Sequence, residues 1–227
     1  MKLKLLKIGE QAKPADVVVL TTGILAGNER QATSEGIEMD MAVSYLSRLV
    51  ILKYLVPRLS PKSRVFVMGF PGSNQPGINV DDLNAEQSYK GGMGFVHLNT
   101  VAGNEALVLD WAKKDTPVRF YGLNPGLIKT GIRGNLYESG IMKFLGTNVI
   151  EPLVGLFMPT PESYASKMVS LLFAPNLEDK SGAMFNPKAQ AVLPSIMFTK
   201  DDGALADKFI RGSEKLVQDK AGIQLPK

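Results

Sequence analysis

The 227 residues include no cysteine, one histidine and one tryptophan. Without Cys there is no disulfide framework, no thiolate metal site and no Cys nucleophile, and the composition fits a reducing compartment. An excess of charge of one sign is also missing. Twenty-six Lys and Arg face 22 Asp and Glu, a formal net charge of +4, and no basic run is long enough to track phosphates. A nucleic-acid partner is therefore not expected. Long apolar runs are absent: Val17–Leu20 and Leu49–Leu52 fall far short of the roughly 18 residues that span a bilayer. Lysines interrupt the opening Met1–Lys7 before any secretory apolar region can form. These absences predict a soluble, cytoplasmic protein with no membrane partner.

What is present is an ordinary globular composition, 44% hydrophobic with 22 Gly and 14 Pro, enough chain to bury one substantial core. Strand-like and helix-like stretches alternate. Asp16–Leu20, Arg64–Phe70, Val118–Leu123 and Gly182–Phe185 are short, apolar and closed by turn residues, as strands buried on both faces read. Between them, apolar residues recur at threes and fours over Gly36–Leu59 and Phe95–Lys114, predicting helices. Thr160-Pro161-Glu162 carries a cap, a first-turn proline and a first-turn acid, the start of a third helix reaching Phe173. Asp201–Gln218 predicts a terminal helix. Pro71–Gly94 is a polar, glycine-rich connection longer than compact domains usually allow, and such loops commonly carry function. The alternation predicts an α/β fold, a doubly wound parallel sheet with helices on both faces.

In this order, DVVVLTTG (Asp16–Gly23), EGIEMDMAVSYLSRLVILKYLVPRL (Glu35–Leu59), SRVFVMGF (Ser63–Phe70), LDWAKK (Leu109–Lys114) and VRFYGLNPGLIKT (Val118–Thr130) resemble the short-chain dehydrogenase/reductase family over about residues 16–190. The resemblance implies a Rossmann-like sheet whose first βαβ units are missing. In that family a Gly-rich turn after the first strand holds the cofactor pyrophosphate. Here only some fifteen residues precede the strand that resembles the family's fourth, and G-x-G-x-x-G does not occur. The expectation is one truncated domain, residues 1–227, with a tail or helix over 191–227. Met1, Leu3 and Leu5 alternate with Lys2 and Lys4, which predicts a replacement edge strand within residues 1–10 beside residues 16–20, or an edge covered by a second subunit or another partner.

The same resemblance places His97 where the family's catalytic Tyr stands and Val101 where its Lys stands. Gly69 or Phe70 takes the Ser position and Ser44 the Asn position. The catalytic tetrad is thus expected to be absent. His97 offers either an acid/base group that works near neutral pH or a histidine that only bonds a backbone carbonyl. Asn104 lies on its helical face as a partner. Thr21, Thr22, Phe70, Asn124 and Thr130 fall at or just beyond the carboxyl ends of strands, where parallel sheets bind ligands; turn chemistry explains Thr and Asn there equally well. Asp81, Asp82 and Glu86 lack the His or third placed carboxylate that a metal site would want. Ile141–Met158 is either an apolar lid or core.

The expected function is cofactor-independent and metal-free: binding of a small, largely apolar molecule and a non-redox isomerisation, cyclisation or elimination by His97. Two alternatives stand beside it, an NAD(P)-dependent oxidoreductase of the family and a non-catalytic interaction subunit.

Overall fold

The computed structural model describes residues 15–75, 78–90, 94–129 and 158–226, with positions 144, 148 and 155. Valine-rich Val17–Leu20 forms β1, and Arg64–Met68 and Arg119–Leu123 form β2 and β3. β1 pairs with β2 and β2 with β3, both parallel, through Val18↔Val65, Phe66↔Tyr121 and their neighbours. β4 (Met184–Phe185) extends the sheet in parallel, and β5 (Ala191–Val192), a strand not expected from the sequence, returns antiparallel beside it. The spatial order is β1-β2-β3-β4-β5. The fold is α/β and Rossmann-like, and its sheet is parallel apart from the last strand.

Period-two alternation sends neighbouring side chains to opposite faces of the sheet. Val65, Val67 and Phe120 join the larger core, while Phe66, Tyr121 and Leu123 join the smaller one. A π-helix over Met41–Leu46 leads directly into α1 (Ser47–Leu55). These, with α2 (Phe95–Lys113) and the terminal α4 (Ala204–Ala221), supply the larger core. The opposite face packs on α3 (Pro161–Leu172) through Tyr164, Met168 and Leu171. Thr160 caps α3 as its sequence promises, its side chain accepting the Ser163 N–H at 3.2 Å.

Helix α2 is drawn deep into the larger core because Gly103 has no side chain. A Cβ there would stand 2.8 Å from Phe209 of α4 and 2.9 Å from Tyr45 of the π-helix. Those two rings meet edge to face at 5.6 Å, so three helices close around one glycine.

The long connection after β2 is organised by one carboxylate. Asp82 accepts the N–H groups of Glu86, Gln87 and Ser88 at 2.8–3.1 Å, and these donors hold its pKa below the ordinary aspartate value although burial opposes them. Among the described residues no group of three His, Cys, Asp or Glu could hold a metal ion, and no helix is long and apolar enough to cross a membrane. β1 has one strand neighbour among the described residues. The replacement strand expected within residues 1–10, Thr130 and nearly all of the 141–158 stretch lie outside the described residues.

Candidate active site

The carboxyl ends of β1, β2 and β3 run into Thr21-Thr22-Gly23, Gly69–Ser73 and Asn124-Pro125-Gly126. Parallel pairing brings these three turns to one edge of the sheet, and the first turn of α2 and the π-helix stand beside it.

His97 sits in the first turn of α2, its side chain 18% exposed, and its Nδ1 lies 3.1 Å from Oδ2 of the fully buried Asp40. A carboxylate oxygen only accepts, so Nδ1 carries the proton and Nε2 is left as the open position of the ring. Asp40 is held in turn by Ser44, whose hydroxyl donates to Oδ1 at 2.5 Å and accepts the Ile24 N–H at 2.9 Å. A chain of hydrogen bonds thus runs from the loop after β1 through the π-helix to the imidazole. π-Helical turns are uncommon and concentrate at functional sites.

A second tie lies one turn further along. Arg48 is 5% exposed and donates to Thr22 O at 2.7 Å, to Asn104 Oδ1 at 2.8 Å and to Met68 O. It therefore joins the ends of β1 and β2 to α2. Burial pushes its pKa down to about 10, partly offset by the attraction of Asp40, and the guanidinium stays charged at neutral pH.

The structure sorts the residues singled out from the sequence. Asn104 donates both amide hydrogens to Ser44 O and Thr100 O, at 2.9 and 2.7 Å, while its oxygen takes Arg48. It ties α2 to the π-helix and is not hydrogen-bonded to His97. Asn124 is 8% exposed and its Oδ1 accepts the Gly126 N–H at 2.7 Å, the turn chemistry that the sequence also allowed. Thr21, Thr22 and Phe70 are exposed at the edge. Val101 lies on α2 one turn after His97, and Gly69 lies under that helix: a Cβ at 69 would stand 3.2 Å from Asn104 Cβ and 3.7 Å from Val101 O.

Asp40 and Arg48 escaped the sequence reading. Their signal is a polar stripe at intervals of four, Asp40-Ser44-Arg48, through an otherwise apolar helix.

No family model matches the chain. An uncharacterized oxidoreductase of Saccharomyces cerevisiae, YKL107W, is 42% identical over 216 residues, covering 92% of this chain and 67% of that protein. Human retinol dehydrogenase 14 is 28% identical over 211 residues, 89% of this chain but only 58% of that protein. Two solved structures share the fold. A putative short chain dehydrogenase from Pseudomonas syringae covers 82% of this chain and 69% of its own at TM-score 0.54 and 16% identity. BdcA in complex with NADPH covers 85% and 73% at TM-score 0.54 and 14% identity.

These relatives overturn one expectation from the sequence. A cofactor-independent isomerase, cyclase or lyase does not stand beside curated relatives that are oxidoreductases, one of them at 42% identity. With the order of its parallel strands, the likeness to solved short-chain dehydrogenases and that yeast relative, the chain belongs to the short-chain dehydrogenase/reductase family.

Proposed function

We propose that the protein is an NAD(P)-dependent oxidoreductase that interconverts a carbonyl and an alcohol on a small, largely apolar molecule, with His97 and Asp40 in place of the family's Tyr and Lys. The observation that carries this reading is the 3.1 Å contact between His97 and the buried Asp40 at the carboxyl edge of the sheet. The family resemblance supports it in aligning His97 with the position of the family's catalytic Tyr.

The described residues fit the nicotinamide end of such a cofactor. Gly23 follows β1 without a side chain, Thr21 and Thr22 offer hydroxyls at the edge, and the Asn124–Gly126 turn lies at the end of β3. The phosphate-binding G-x-G-x-x-G is not among the 227 residues. When bound, the reduced nicotinamide supplies hydride to a carbonyl carbon. With Nδ1 keeping its proton toward Asp40, a second proton taken up at His97 Nε2 would pass to the carbonyl oxygen as its π electrons move onto it, completing the alcohol and leaving a neutral ring. Asp40 keeps the ring in one orientation and balances the imidazolium charge, and Ser44 fixes Asp40. Phe70, 45% exposed at the same edge, provides an apolar wall for the substrate.

Two measurements test this. Calorimetry should detect NADPH or NADH binding, and a carbonyl panel followed by nicotinamide absorbance should show turnover that falls by about 10²-fold or more in His97→Ala while cofactor affinity is unchanged. Absence of nicotinamide binding at millimolar concentration would overturn the proposal.

A further inference from the structure

The opposite edge of the sheet carries a cavity of about 310 Å³. It opens where α1 and α2 end and β3 begins. His97 starts α2 and Trp111 stands in its last turn, so at 1.5 Å per residue the two lie about 20 Å apart along the helix.

Its lining is chemically one-sided. Val56, Pro57, Leu59, Pro117 and Val118 form an apolar wall with the indole of Trp111. The polar residues are Lys53, Lys114 and Thr116, and none of the described lining residues is acidic. Each ammonium is engaged by one carboxylate from outside the lining, Lys53 by Glu214 at 2.6 Å and Lys114 by Asp110 at 2.5 Å. An ammonium carries three donor hydrogens, so each keeps donors for a further oxygen. Trp111 adds another: its Nε1 is buried and has no acceptor. The ring is stacked on Phe120 at 5.2 Å and covered by the Lys114 ammonium 4.2 Å from its centroid.

A pocket rich in donors, poor in acceptors and apolar in body selects an apolar molecule with a charged acceptor at one end. Its volume lies at the lower end of small-molecule sites and admits about one ring. We propose that this cavity is a second binding site, remote from the candidate active site, for a small aromatic carboxylate held by Lys53 and Lys114 with its ring against the Val56–Val118 wall.

The sole tryptophan reports on this site directly. Titrating the full chain with 3-phenylpropanoate, excited at the red edge of the indole band, should give a saturable change in emission in the millimolar range or tighter. The neutral 3-phenylpropanamide should bind about tenfold more weakly, because it forgoes the charge-assisted bonds. Lys114→Met should erase the preference for the acid, and Thr116→Phe should remove binding by filling the mouth. Because Lys114 is partly exposed, its variant keeps the test valid if Thr116→Phe does not fold. A linear, unsaturable response, or equal binding of acid and amide, would overturn the proposal.

Discussion

His97 and Asp40, 57 positions apart in the chain, meet at 3.1 Å, and the carboxylate of that pair is fully buried. Ser44 holds the other carboxylate oxygen at 2.5 Å, so the aspartate has one orientation to offer. Asp40→Asn replaces an acceptor-only group with an amide that can present a donor to the imidazole. Turnover should fall by about 10²-fold with KM little changed. Steady-state kinetics on a carbonyl substrate of the wild-type protein would check the split.

Arg48 satisfies three oxygens on three elements. Arg48→Met removes the donor from all three, the buried Asn104 oxygen among them, which should cost about 3 kcal/mol of folding stability. Arg48→Lys should recover little of that loss, because an ammonium cannot match the planar fork. Urea denaturation of the three proteins would rank them.

The pKa of Glu105 is shifted in the opposite direction to that of Asp82. It is 3% exposed and accepts Ser195 N–H and O–H at 2.5 and 2.7 Å and Gly72 N–H at 3.1 Å. Burial nevertheless raises its pKa above the ordinary value of 4.5. With the folded value above the unfolded one, the folded state binds more protons between the two. The stability contributed by protonation is complete below about pH 4.5 and is lost as pH rises through the raised value. Thermal melts from acid to neutral pH should show that slope in the wild type and not in Glu105→Gln, which should also be less stable because its amide nitrogen faces donors.

Gly103→Ala should destabilise the fold by about 1–3 kcal/mol. The added methyl would stand 2.8 Å from Phe209 and 2.9 Å from Tyr45, and both rings are fully buried. Denaturant unfolding would give the loss, and a lower unfolding rate for the variant would contradict it.

The layers of this fold were legible because they rest on periodicity. Val65 and Val67 against Phe66 and Met68 announce a strand buried on both faces, and Thr160-Pro161-Glu162 announces a helix start. β5 was not legible, since Ala191–Val192 is too short to show alternation and is positioned by Met184 and Phe185. The site was half legible. The resemblance located His97, but its partner is fixed by packing: Asp40 reaches it only because the π-helix and α2 lie side by side, and spacing within one segment says nothing of the next. Asn104 shares a helical face with His97, yet its hydrogen-bond partners are Thr100 O on α2 itself, Ser44 O on the π-helix and Arg48 on α1.

The glycine at the end of β2 sets how closely α2 approaches the sheet. Helix α2 rests on Gly69 so closely that a Cβ would stand 3.2 Å from Asn104, and Asn104 is itself bound to Arg48 and Ser44 O. Any side chain at 69 would press on Asn104 and make it give by a few tenths of an ångström, so the turn after β2 and the seating of the helix that carries His97 are set together.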